Sequence, residues 1–300
     1  MLSFRKIDIS DKAQIKNCLS HSGFRGCEYS FANNMAWHRL YDTKIAFCDG
    51  FYISASHRDT VTFTFPSGGN SDTPDEAYMK LFTEFDKYAA SYGCPLCISS
   101  VTEEQFALFD RLYHGEYSMT TDESGWDYIY NASDLTELKG KRYHGKRNHL
   151  KKLPENCIYT PLTPSDHNDC LAFAADSYNA AHGYDNRSQV CEQYAIDTFF
   201  RYFDVLDLCG GVLRLDGKIA AFTIGERITS DTLDIHIEKA LGSTEWAYPA
   251  INSFFARENT DGLLYINREE DLGIEGLRRS KRSYHPAFML KKYTITFPKR

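Results

Sequence analysis

Two kinds of hydrophobic spacing alternate along this chain. In one, apolar and polar residues change places singly, as they do on a half-buried strand. In the other, apolar residues recur every three to four positions, as on one face of a helix. In the first half, alternation predicts strands at Ser3–Ile9, Lys44–Cys48, Phe51–Ser56, Val61–Phe65, Leu96–Ser100 and Trp126–Asn131. Helical spacing predicts helices at Asp11–Leu19, Ala32–Leu40, Asp75–Tyr92 and Glu103–Tyr113. In the second half, the strands fall at Cys157–Leu162, Leu208–Leu215, Ile219–Ile228, Thr232–Lys239, Leu263–Asn267 and Ala287–Thr296. The helices there fall at Ser165–Ala181, Ser188–Phe203, Glu245–Glu258 and Ile274–Ser283, and Asp216-Gly217 marks a hairpin turn. Each half therefore runs strand, two helices, three strands, helix, strand, helix, strand. That repetition predicts a duplicated α/β fold with domains at 1–133 and 157–300, joined by an arm at 134–156.

The strand Thr232–Lys239 carries the chemistry that draws most notice. Asp234, His236 and Glu238 alternate with Leu233, Ile235 and Ile237, so a period of two gathers the ionisable groups on one face. The turn Gly242-Ser243-Thr244 then leads into a helix, whose N-terminus favours anions. A strand with one polar face over water would show the same alternation. A second polar run, Asn267-Arg-Glu-Glu-Asp271, ends a short apolar strand, where ligands of open α/β sheets gather. Glu269 is the candidate there for gripping an ammonium, and Asp271 suits a helix cap. The helix Ile274–Ser283 carries Arg278, Arg279, Lys281 and Arg282, with Tyr284 just beyond.

Composition narrows the function class. The chain has 300 residues, is 42% hydrophobic and 25% charged, and has a net charge of −7. That is ordinary for a folded protein and argues against a chain built mainly to hold a long duplex. No run approaches the roughly 18 apolar residues of a membrane helix, and the N-terminus lacks an apolar signal core, so the expected compartment is the cytoplasm. The nine cysteines are scattered, most inside apolar runs, which predicts buried reduced thiols. Cys94-Pro-Leu-Cys97 has redox or zinc spacing but stands without a second pair or a nearby histidine, and no metal is expected. Against the acidic background, Lys139–Lys152 holds seven Lys or Arg and no acid. Arg142, Lys146 and Arg147 are the expected phosphate contacts, in an arm that extends the helix starting near Asp134.

The order of three hairpin strands, a helix, then strand, helix and strand resembles the GNAT (acyl-CoA N-acyltransferase) fold. In that family the turn after the third strand wraps a pyrophosphate, and the matching stretch here is Lys239-Ala-Leu-Gly-Ser-Thr244. More specifically, Lys141-Arg-Tyr-His-Gly-Lys-Arg-Asn-His149, Asp234-Ile-His-Ile-Glu-Lys239, Ile266-Asn-Arg-Glu-Glu-Asp-Leu-Gly273 and Leu277-Arg-Arg-Ser-Lys-Arg-Ser-Tyr-His-Pro286 resemble the DUF2156 family. That family is similar to the C-terminal part of the phosphatidylglycerol lysyltransferases and to the Fem peptidyltransferases. The resemblance implies tandem GNAT-like domains, each a mixed central sheet flanked by helices. The first copy has a plain third strand, Val61-Thr-Phe-Thr-Phe65, and Pro66 where a phosphate turn would donate N–H groups, so the second copy is expected to be active and the first a scaffold or one wall of the cleft.

It also implies an acyl- or aminoacyl-transferase. An activated acyl group would pass from aminoacyl-tRNA or acyl-CoA to an amine or hydroxyl on a small molecule or lipid headgroup. No tightly bound cofactor is implied. By position, Glu238 or His236 would be the base, Tyr284 the acid, and Asp234 and Glu269 further members of the site. Lys281 and Arg278 would offset charge on the carrier, with Lys239, Gly242, Ser243 and Thr244 lining its phosphates. The alternative is a non-catalytic module of the same fold that binds a small amine, a nucleotide or RNA.

Overall fold

The computed structural model describes residues 2–181 and 187–298. In chain order its strands are β1 (Thr43–Cys48), β2 (Phe51–Ser56), β3 (Thr62–Thr64), β4 (Cys97–Val101), β5 (Ser118–Thr121), β6 (Asp127–Asn131) and β7 (Cys157–Pro161). They continue with β8 (Cys209–Leu215), β9 (Lys218–Arg227), β10 (Thr232–Ala240), β11 (Tyr265–Asn267), β12 (Phe288–Leu290) and β13 (Tyr293–Thr296). They form two mixed sheets, each flanked by helices. One runs β1-β2-β3-β4-β13-β5 and the other β12-β6-β11-β10-β9-β8-β7.

The chain divides into two compact units, and neither is a continuous half. One comprises Met1–Asp127, Glu270–Gly273 and Leu290–Arg300, and the other Tyr128–Glu269 and Ile274–Met289. The reason lies in two strands. β6 pairs antiparallel with β11 in the second sheet, although it precedes the basic arm. β13 pairs with β4 and β5 in the first sheet, although it ends the chain. The single strand expected at Ala287–Thr296 is thus two short ones, β12 and β13, separated by Lys291-Lys292 and belonging to different sheets. Boundaries drawn through a repeat of elements put each final strand with its own copy, and hydrogen bonding assigns them the other way.

In the first unit, the helix Asp75–Ser91 buries Tyr78, Leu81, Phe82, Phe85 and Ala89, one stripe at helical spacing. Those side chains share a core with Ile53 of β2, Phe63 of β3, Ile98 of β4 and Phe65 just past β3. Phe63 and Phe85 stack with ring centres 4.1 Å apart. The expected strand Ser3–Ile9 is reduced to one bridge, Arg5 with Ile45, and β5 was not anticipated: all four of its residues are exposed, so it has no hydrophobic alternation.

In the second unit, β8, β9 and β10 form an antiparallel meander, and β10 pairs parallel with β11. The helix Ala247–Asn259 packs its small residues Ala247 and Ala250, with Ile251, into a core with Leu213, Ala220 and Ala221. The basic arm is not one helix. The helix Ala132–Glu137 stops at Leu138 (φ +48°), Gly140 turns the chain at φ +86°, and a separate helix runs His144–Leu150.

Candidate active site

β10 carries a bulge at the expected position of the chemistry. Ile235 lies opposite Gly225 and Ile237 opposite Ile224, so His236 is the extra residue. A side chain on Gly225 would collide with the Asp234 carbonyl oxygen, so glycine is what lets β9 approach the bulge.

His236 is enclosed. Its Nδ1 lies 3.0 Å from Glu269 Oε1 and 3.6 Å from Asp234 Oδ2, and its Nε2 lies 3.4 Å from Glu226 Oε1. Phe199 stacks on the ring at 5.2 Å. Burial by itself would drive the imidazole neutral. The carboxylates of Glu226 and Glu269, then Asp234, outweigh it and hold the pKa well above the ordinary value. The carboxylates thus favour the doubly protonated imidazole, a form with no lone pair, and Nε2 itself makes no hydrogen bond among the described residues.

The polar run after β11 is folded by its own first residue. Asn267 Oδ1 accepts from the Glu269 N–H at 2.7 Å, and Glu269 takes a left-handed backbone conformation (φ +54°). That turn presents Glu269 to His236 and Arg268 to Glu238. Arg268 Nη2 donates to Glu238 Oε1 at 2.7 Å, with both side chains more than nine-tenths buried. Asn252 Nδ2 donates to the other oxygen, Glu238 Oε2, at 3.3 Å. Two buried valences flank this clamped carboxylate with no hydrogen-bond partner among the described residues, Arg268 Nη1 and Asn252 Oδ1. A buried donor without an acceptor is costly unless a ligand supplies one.

An aromatic and cationic group surrounds Arg268. Its guanidinium lies 4.8 Å from the Tyr284 ring centre and 5.8 Å from that of Tyr130. Lys146 places Nζ 3.6 Å from the Tyr284 ring centre and donates to Ser283 Oγ at 2.7 Å. Burial, then repulsion from Arg268, lowers the Lys146 pKa to about 8, with Glu238 opposing. Burial likewise pushes the Tyr284 phenol well above its ordinary range, so it stays protonated. Lys281 donates to the Arg268 carbonyl at 2.5 Å, and the Tyr130 hydroxyl donates to the Lys281 carbonyl at 2.8 Å. The Tyr143 hydroxyl donates to the Tyr284 carbonyl at 2.9 Å.

The expected residues thus sort into groups. Glu238, Lys281, Tyr284 and Lys146 come together around Arg268. Asp234, His236 and Glu269 form the adjoining buried cluster. Lys239 is ion-paired to Glu192 at 2.9 Å. Thr244 turns both its N–H and its hydroxyl to the Leu241 carbonyl, closing the turn through Gly242 and Ser243 on itself, and the helix begins only at Ala247. Arg278 lies half-exposed on the helix Glu275–Arg282. Arg142 pairs with Asp134 at 2.8 Å, and Arg147 donates to the carbonyls of Leu138 and Gly140, tying down the end of the preceding helix. Sequence reasoning missed Arg268 and Asn252 as site residues. The available signals were the polar pair Asn252-Ser253 inside an otherwise apolar helical run, and a cation inside a run read for its acids.

Two sets of side chains bring one ligating atom each within 4.8 Å of one another: Asp234, His236 and Glu269, and in the first unit Cys27, Glu28 and Asp127. In the first unit the Lys292 ammonium lies 2.6 Å from Asp127 and 2.8 Å from Glu28. Cys94 and Cys97 are not joined by a disulfide, and Cys97 lies beside Thr296 Oγ1 at 3.6 Å.

The fold and cluster define a two-sheet α/β protein with a buried, cation-rich polar site beside a bulged strand. The chain belongs to the phosphatidylglycerol lysyltransferase C-terminal family, whose model matches residues 20–296. Among solved structures it is similar to a conserved protein of unknown function from Bacteroides thetaiotaomicron VPI-5482. The identity is 33%, the TM-score 0.92, and the match covers 99% of this chain and 100% of that one. It is also similar in fold to L-PGS from Bacillus licheniformis (15% identity, TM-score 0.65, 98% and 93% covered). The DUF2156 C-terminal domain of a lysylphosphatidylglycerol synthetase from Agrobacterium fabrum matches at a comparable level (14% identity, TM-score 0.64, 96% and 93% covered). No curated protein is a significant match. No helix among the described residues is long and apolar enough to cross a membrane.

Proposed function

We propose that this chain is an aminoacyltransferase on a duplicated GNAT-like fold, moving an amino acid from a charged tRNA to an amine or hydroxyl acceptor. The observation that carries the reading is the clamped Glu238 carboxylate with Arg268 Nη1 and Asn252 Oδ1 left unsatisfied on either side. An acyl carbonyl oxygen fits the first, and the N–H or O–H of an attacking or amino group fits the second. As the carbonyl carbon turns tetrahedral, its oxygen gains negative charge, and a fixed buried guanidinium stabilises that charge more than it does the ground state. Tyr284, kept protonated, is positioned to donate toward the same region. Glu238 holds Arg268 and Asn252 in place, and His236 with its carboxylates holds the turn 267–269. Lys281 braces the same turn through the Arg268 carbonyl.

Two features favour a tRNA carrier over CoA. The family is described by a lysyltransferase. In addition, the turn expected to wrap a pyrophosphate has its lysine occupied by Glu192 and its threonine turned inward. The basic residues Lys141 and Lys151 are exposed on the arm and offer contacts to an acceptor stem, whereas Lys152 pairs with Glu245.

The test is a thermal-shift titration of the purified chain with CoA, acetyl-CoA and a non-hydrolysable charged-tRNA mimic at low and physiological salt. At 100 times its Kd a ligand specific to the folded state adds about 2.7 kcal/mol of stability. The reading expects a salt-sensitive response to the mimic and silence with CoA. Stabilisation by CoA alone overturns the choice of carrier, and no response to any of the three overturns the transferase reading.

A further inference from the structure

A transfer reaction needs a group that accepts the acceptor's proton near neutral pH, and most side chains around Arg268 are spoken for. His236 lies between the carboxylates of Glu226 and Glu269, which favour its protonated form. Glu238 is bonded at both oxygens, to Arg268 and to Asn252. Lys281 is buried against the Arg268 carbonyl. Tyr284 is a far weaker acid than water-exposed tyrosine, and its conjugate base is inaccessible at neutral pH.

Lys146 differs from all of them. It is half-buried, and no carboxylate lies within ion-pair distance of it among the described residues. Its surroundings are the Tyr284 ring, Ser283 Oγ, and a second cation, Arg268, on the same ring, with Glu238 acting only through space. Ser283 sends its own proton to the Ser280 carbonyl at 2.6 Å, so its oxygen accepts from Lys146 in either protonation state. A neutral amine anchored this way through one N–H keeps its lone pair for something else. Crowding by a second cation without a partner anion is the way proteins prepare lysine bases.

We propose that Lys146 is the general base of the transfer, an inference that rests on the transferase reading above. As the acceptor's oxygen or nitrogen bonds to the acyl carbon, its proton passes to Lys146 Nζ. The carbonyl pair moves onto the oxygen facing Arg268 Nη1. When the carbonyl re-forms, the bond from the acyl carbon to the carrier's ribose oxygen breaks. That oxygen takes the proton from the Lys146 ammonium, which restores the amine. The depressed Lys146 pKa of about 8 agrees with this cycle.

The experiment is the pH dependence of single-turnover transfer from charged tRNA for the wild type, K146R and K146A. The wild-type rate rises with pH through an apparent pKa near 8 and then levels. K146R keeps charge and reach but cannot release a proton, so it loses about 100-fold or more in rate while donor binding is unchanged. Exogenous small primary amines restore part of the rate to K146A, which a merely structural lysine would not allow. K146Q, matched by circular dichroism to the wild type, replaces K146R if the arginine does not fold. An active wild type with an equally active K146R and K146Q overturns the role of Lys146 alone. A wild type that transfers from no donor at any pH overturns the transferase reading and this role with it.

Discussion

Glu238 and Arg268 meet at 2.7 Å with their side chains 9% and 8% exposed, a buried pair in which each is the other's ion partner. Removing one partner strands the other. Glu238→Leu is expected to cost about 3–5 kcal/mol in urea unfolding. The double variant Glu238→Leu with Arg268→Met should recover much of that loss, since two apolar side chains need no pairing. If both variants are equally destabilised, the pair is not the structural unit described here.

His236 makes stability fall with rising pH. Its folded pKa lies above the unfolded value, so its contribution is complete below about pH 6.5 and disappears as pH climbs toward the folded pKa. Comparing the wild type with His236→Gln isolates that contribution. The stability difference should shrink between pH 6.5 and 9, by at most about 1.4 kcal/mol per pH unit. A difference that is flat or grows over that range would mean the imidazole is neutral in the fold.

Arg147 and Lys146 are neighbours in sequence with different work. Arg147 donates to the carbonyls of Leu138 and Gly140, which a helix ending at a left-handed residue leaves open. Arg147→Ala should lose about 1–2 kcal/mol in stability and leave donor affinity unchanged. A loss of tRNA-mimic binding with full stability would return Arg147 to the phosphate-contact role its sequence suggests.

Gly225→Ala tests the bulge. The added carbon meets the Asp234 carbonyl oxygen, which is backbone and cannot swing aside. We expect a loss of about 1–3 kcal/mol. Because the shift reaches the residue preceding Ile235 and His236, the pH dependence assigned to His236 should weaken too. A silent substitution would argue against the close approach of β9 and β10.

The sequence carried the elements well where one face is buried. Asp75–Tyr92 was readable because its apolar residues recur at the period of a single buried face. Two things were not legible. Strand partners are chosen by tertiary hydrogen bonds, so the exchange that sends β6 to the second sheet and β13 to the first leaves no mark in local periodicity. Charge partners are equally silent. The alternation of Asp234, His236 and Glu238 was visible, but the bulge that makes His236 the extra residue depends on Gly225 in another strand. Arg268 looked like an interruption among acids, and only the Asn267 turn turns it toward Glu238. In the arm, the density of Lys and Arg was plain, yet Asp134 and two backbone carbonyls absorb Arg142 and Arg147 and leave Lys146 to the site.

The most direct test of the account is donor turnover by the wild type and Arg268→Lys, using tRNAs charged with a panel of radiolabelled amino acids and mixed amine and hydroxyl acceptors. Lysine keeps the charge beside Glu238 and removes the free Nη1 donor. The account predicts that the wild type transfers from at least one charged tRNA and that Arg268→Lys does so about 100-fold more slowly or worse, at unchanged stability. Equal rates for the two proteins, or no transfer by the wild type from any charged tRNA, would contradict it.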